Sequence, residues 1–259
     1  MRIFLIFLLS ILFNQFFFSQ NADELNIKSR DLIQKGKYEE AFPILKQAAI
    51  MGSGEAQYNL GYALQHGVGT EKNIPEAIQW YRKSSDSNFN DGHYAMMMVY
   101  SNGDGIEQDS EKAFNYALKC SENNDSTCML NLVFCYLTGS GVEKNIEEFK
   151  IWTVKLAKLQ NSDNLIQSAN ITSARLQLAQ FYREGLHFEK DLYQSYLWYL
   201  IYNEFKKDFS FLQQDQIIKE IKDLEKNLSN EQIKNSKNDA ANLLSRSLNN
   251  SGELYKNSL

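Results

Sequence analysis

Glu55-Ala56-Gln57-Tyr58-Asn59-Leu60-Gly61-Tyr62-Ala63-Leu64-Gln65-His66-Gly67-Val68-Gly69 returns in altered form 36 residues later, and again after a further 36. Gly67, Gly103 and Gly139 keep that step, as do Gly69, Gly105 and Gly141. Leu60, Met96 and Leu132 share it, and so do Asn73, Asp109 and Asn145. A fixed period of this length marks a solenoid of stacked units, each too small to bury its own apolar face. A fourth copy follows after a shift of 46, where Leu178, Gly185, Asp191 and Trp198 answer Leu132, Gly139, Asn145 and the earlier Trp80. The ten extra residues fall within Lys158 to Thr172.

Each unit reads as two helices. The first carries Ala56, Leu60 and Leu64 four apart on one face, the spacing of a helix packed on neighbours. Gly67 and Gly69 then supply the positive φ that closes a helix C-terminus. The second helix begins at Asn73, Asp109, Asn145 or Asp191, all side chains that accept from the first free N–H groups. Three residues on stand Glu76, Lys112, Glu148 and Gln194, so three of the four starts are expected to be reciprocal capping boxes. Pro75 fits a first turn, where its missing N–H costs nothing. Two prolines in 259 residues agree with a mostly helical chain.

The segments Ala56 to Gly61, Gly67-Val68-Gly69 and Ala77-Ile78-Gln79-Trp80-Tyr81-Arg82-Lys83 resemble Sel1-like repeats, relatives of the tetratricopeptide repeat. The resemblance starts with a half-unit, Gly36-Lys37-Tyr38-Glu39-Glu40-Ala41, and runs to about Tyr202. It implies an all-α, right-handed αα-solenoid with units at about 21–53, 54–89, 90–125, 126–171 and 172–203. Met97, Val133 and Ala179 replace the small Gly61, and His187 replaces the second loop glycine. In repeats of this kind the first helices line the concave face, and the residue two after the repeated leucine varies. Those positions hold Tyr62, Met98, Phe134 and Gln180, which become the candidate partner-binding residues. Tyr58 and Tyr94, one turn earlier, match a position that such repeats fill with a structural aromatic. Residues 204–259 lose the period. Phe211 to Ser245 reads as a helical cap, with a capping box at Ser229 and Gln232, and Asn249 to Leu259 is expected to fray.

The first 20 residues have the anatomy of a signal peptide: Arg2, then the apolar run Ile3 to Phe13, with cleavage expected between Ser19 and Ala22. No cysteine precedes Cys120 to carry a lipid, so no stable membrane anchor is expected after cleavage, and the location is periplasmic or secreted. The chain has 27 basic against 32 acidic residues, and losing the leader removes Arg2 and no acid. Nucleic acid is therefore excluded as a ligand.

In an oxidising compartment Cys120 and Cys128, facing each other across the polar loop Ser121 to Thr127, can form a disulfide. Their spacing resembles that of cysteine-rich secreted Sel1-like proteins. Cys135 is left over, expected buried and reduced, and the alternative is that all three are inert core residues. His66, His93 and His187 stand too far apart for a helical metal pair, and His187 with Glu189 is expected to face solvent. No metal, cofactor or catalytic residue is expected, and no serine stands in the S-x-x-K pattern of a β-lactam-acylated enzyme. The chain thus reads as a non-enzymatic scaffold for a protein partner. The resemblance implies an immunity protein neutralising a secreted lipase-type effector, with an envelope regulator, a virulence-associated adaptor or a cell-wall ligand binder as alternatives.

Overall fold

The structure, a computed structural model, describes residues 21–205, 211–250 and 252. The expected leader, residues 1–20, and the tail at 251 and 253–259 lie outside the described residues. Among those described there is no strand. Helix α1 covers residues 21–34, followed by α2 (Tyr38–Ile50), α3 (Gly54–His66), α4 (Ile74–Asp86), α5 (Asn90–Asn102) and α6 (Ser110–Glu122). Then come α7 (Ser126–Thr138), α8 (Ile146–Lys158), α9 (Leu165–Glu184), α10 (Leu192–Asn203), α11 (Phe211–Glu225) and α12 (Asn230–Leu244). Two compact units meet at Asn123/Asn124. In the first, α2 to α6 pack each on the next and α3 also touches α5; in the second, α7 to α10 do the same and α11 and α12 pack on α10. That is the helix-pair stacking of an all-α solenoid.

The helix starts are local chemistry. Asn73, Asp109, Asn145 and Asp191 each accept from a backbone N–H of the first turn. None of the three capping boxes expected among these four starts closes. The backbone N–H that the third residue would have accepted from is already spent on a carbonyl nine residues back: Asn73 to Leu64 at 2.8 Å, Asp109 to Tyr100 at 3.0 Å, Asn145 to Tyr136 at 2.9 Å and Asp191 to Tyr182 at 2.9 Å. The repeated bond ties each loop across its own mouth. Among the described residues it is the cap at Ser229, which has no such loop, that forms the reciprocal box, with Gln232.

The helix ends are equally determined. Gly67, Gly103, Gly139 and Gly185 sit at φ of 73°, 75°, 84° and 74°, the left-handed termination that glycine adopts without strain. Gly69 has a second reason, since a Cβ there would come within 2.3 Å of the Tyr38 carbonyl oxygen. His187 takes the same left-handed conformation, at φ 62°, and does not simply face solvent. It is half-buried, with its ring edge-on to Phe149 and Phe181 at 5.2 and 5.5 Å, and those contacts offset the strain of the non-glycine.

Departures from the small Gly61 are matched on the facing helix. A Cβ on Gly61 would meet the Tyr81 ring at 2.7 Å. One period on, Met97 is answered by Ala117, then Val133 by Thr153, and in the last copy Ala179 by Tyr199, all buried. Three of these pairs match a large residue with a small one and Val133 with Thr153 joins two of middle size, so pair volume is roughly kept and close packing survives.

The ten extra residues divide between the loop 159–164 and a lengthened α9, which has 20 residues where α3, α5 and α7 have 13. At the C-terminal end, the Tyr193 hydroxyl donates to Asp239 at 2.5 Å, Tyr196 to Glu225 at 2.6 Å and Tyr199 to Glu220. These bonds pin α11 and α12 to α10. The frayed tail expected from Asn249 is corrected at its start. The Glu204 carboxylate accepts from Arg246 at 2.8 Å and from the backbone N–H of Asn249 and Asn250 at 2.8 and 2.7 Å.

Candidate binding surface

In a helix, residues two apart point about 200° apart, so a buried residue at one position leaves the second-next one outward. Leu60, Met96, Leu132 and Leu178 are wholly buried. Two residues on, Tyr62 is 48% and Phe134 59% exposed, while Met98 and Gln180 are half-buried. All four candidate residues therefore reach the surface of a first helix, and two of them leave most of an aromatic ring open.

Tyr62 and Met98 are brought together. Both line a cavity of about 180 Å³ whose wall includes Tyr58, Tyr81, Tyr94 and Asp104. Tyr62 also borders a cleft of about 360 Å³ between α1, α2 and α3, with Tyr38, Phe42, Leu45 and Val68 as its floor and sides. An ion pair between Arg30 and Glu55 at 2.7 Å stands at its edge. Phe134 and Gln180 line neither. In the second unit a cleft of about 770 Å³ opens instead beside α8, α10 and α12, among Lys158, Tyr182, Gln194, Trp198 and Asn242. Sequence reasoning missed Tyr38, which is 42% exposed. Its only signal in the sequence was an aromatic at the start of the half-unit that begins at Gly36.

Tyr58 is structural as expected: half-buried, with its ring 5.8 Å from Tyr81 and 6.3 Å from Phe89. Burial pushes the Tyr58 and Tyr81 phenols above their ordinary range, so both stay neutral. The Tyr81 hydroxyl donates to Gln65 at 2.5 Å. Charge is segregated between the helices: α3 and α5 contain no lysine or arginine, whereas α4 and α6 carry Arg82, Lys83, Lys112 and Lys119. Lys83 lies over the Trp80 ring at 3.9 Å and Lys119 over Tyr116 at 5.4 Å.

His93 is 3% exposed, bonded to Ser85 at 2.7 Å and Asn88 at 3.1 Å. Burial, helped by Lys119, holds its pKa down, and a neutral imidazole that donates to Asn88 and accepts from Ser85 satisfies both nitrogens. Cys120 and Cys128 are wholly buried and neither is a free thiol. Cys135 is free but only half-buried, and that burial still pushes its thiol up and away from reactivity. None of the described helices is long and apolar enough to cross a membrane.

The family model for the Sel1 repeat matches residues 54–89, 86–125, 126–158 and 172–201. A putative sel1-like repeat-containing protein of Acanthamoeba polyphaga mimivirus is 50% identical over 44 residues, 17% of this chain and 8% of that protein. The DAP3-binding cell death enhancer 1 of Mus musculus is 39% identical over 57 residues, 22% of this chain and 11% of that protein. The matches thus span about a tenth of the length of these curated relatives. A Sel1 repeat protein from Oxalobacter formigenes is similar in structure, with a TM-score of 0.56 at 24% identity over 78% of this chain and 76% of that one.

Proposed function

The chain belongs to the Sel1 repeat family, and from that premise we propose that it is exported and binds another protein through exposed aromatics of its first helices. One observation carries the reading: Tyr62 and Phe134 hold equivalent positions and stand 48% and 59% exposed beside the wholly buried Leu60 and Leu132. Exposed aromatics of this kind are what an interface covers, and buried aromatic anchors typically dominate its affinity. The narrower reading is an immunity protein that neutralises a secreted lipase-type effector. An envelope regulator or virulence-associated adaptor is the alternative outcome of the same test.

The test is capture from the envelope fraction of the native organism with the tagged protein, alongside Tyr62→Ala and Phe134→Ala. Each truncation is expected to weaken the captured partner by about 2 kcal/mol, roughly thirtyfold. A lipase-type effector among the proteins lost supports immunity, and an envelope protein supports the alternative. Capture unchanged by both substitutions removes this surface from the function.

Export and the cysteines are checked on one sample. Peptide mapping of the native protein, with free thiols blocked and no reductant, should find an N-terminus between Gln20 and Asp23. It should also find Cys120 joined to Cys128 and Cys135 alkylated. Closing so short a loop contributes roughly 2–3 kcal/mol on the chain-entropy account. An intact Met1 form in the cytosol, with three alkylated cysteines, would remove both export and the bond.

A further inference from the structure

The cavity of about 180 Å³ beside Tyr62 is too small for a typical small-molecule site, which runs from roughly 300 to 1,000 Å³. It is the size of a pocket for one side chain. Tyr58 and Tyr62 on α3, with Tyr94 and Met98 at the equivalent positions of α5, make a square across the two helices, and all four line the cavity. The same positions in the second unit hold Leu130, Phe134, Leu176 and Gln180, so the tyrosine-rich square belongs to the first unit.

From the aromatic walls and the local charge we infer that this cavity receives a lysine or arginine side chain presented by the protein partner. A cation over the face of a tyrosine ring is attracted by the ring quadrupole, more strongly once water is excluded. Asp104 adds a carboxylate on the cavity wall, and its hydrogen bond from Asn102, at 3.2 Å, comes from a neutral group. Burial first, and Asp91 after it, disfavour ionisation of Tyr58, so that ring stays neutral. Neither α3 nor α5 brings a lysine or arginine of its own. An acidic side chain would meet Asp104 and the π faces, with His66 the one basic side chain among the described residues of the wall, and an aliphatic one would gain nothing from Asp104.

The inference rests on the partner-binding surface proposed above, but its test needs no partner. Methyl-labelled methionine spectra of the protein are recorded while N-acetyl-arginine amide, and separately N-acetyl-leucine amide, is added. Met98 faces the cavity, and the buried Met96 and Met97 serve as internal references. The Met98 methyl should shift saturably with the arginine amide and little with the leucine amide. Tyr62→Ala and Asp104→Asn should each weaken that binding about threefold to fivefold. Equal shifts with both amides, or none with either, overturn the cationic pocket even where partner capture depends on Phe134. Capture insensitive to Tyr62→Ala and Phe134→Ala, beside a positive arginine titration, overturns the partner surface instead.

Discussion

Leu132→Ala is expected to lower the stability of the second unit by about 2–5 kcal/mol, whereas Phe134→Ala, two residues on in the same helix, should change it by less than about 0.5 kcal/mol. Leu132 is 0% exposed on α7, a helix that packs against α8 and α9. Removing its branched end leaves a cavity that close-packed neighbours fill only in part. The Phe134 ring is 59% exposed, so its truncation exposes little that was covered and withdraws an aromatic from water. Partner binding should reverse the ranking, with Phe134→Ala the more damaging per molecule of folded protein. Denaturant titration of the two variants, followed by binding measured on the folded fraction, separates the effects. A Phe134→Ala protein that melts as early as Leu132→Ala would make the ring part of the core and send the search for a binding surface to the clefts beside α1 or α12.

The period of 36, the N-caps and the left-handed glycines are local chemistry, and each was legible because a residue type and a spacing imply it. Asn73 caps a helix wherever it precedes one. The reciprocal capping box was misread for a non-local reason: the backbone N–H it needs is held by a carbonyl nine residues away, in the preceding helix. Met97 and Val133 looked like threats to helix spacing because the sequence shows one member of a pair at a time. The contact of Tyr81 with the Gly61 position, carried along the period, puts the buried Ala117 and Thr153 at the matching positions of the next helices. The binding residues followed the same division. Periodicity placed Tyr62, Met98, Phe134 and Gln180 at one helical position, but the exposure of each depends on its neighbours, and Met98 and Gln180 are half-buried where Tyr62 and Phe134 are exposed.

Arg175 was wholly illegible, and its replacement carries the other large expected effect. An arginine in a first helix reads as a solvated charge, yet it is 1% exposed. Its Nε donates to the Ala157 carbonyl at 2.9 Å, Nη2 to that of Leu159 at 2.7 Å and Nη1 to Asn161 Oδ1 at 2.5 Å, and the guanidinium lies 4.7 Å from the centre of the Phe205 ring. Those acceptors are the C-terminal turn of α8 and the inserted loop after it, where the helix dipole is negative. Burial, with a lesser contribution from Arg246, pulls its pKa down to about 10, which leaves it charged at neutral pH. Two effects of replacing it oppose each other. Arg175→Met relieves the desolvation of a buried cation, and exchanges of this kind are sometimes neutral. It also strands two carbonyls and an amide oxygen, at about 1–3 kcal/mol for each that stays buried and unpaired. Three acceptors against one cation favour a net loss, roughly 3 kcal/mol or more. Arg175→Lys should recover only part of it, because one ammonium cannot reproduce a planar fork that reaches three acceptors. Thermal unfolding of the two variants, with hydrogen exchange read at residues 159–164, tests the account. A stable Arg175→Met protein with the loop still protected would mean that the insert is held by Asn161, Ser168 and Thr172 alone.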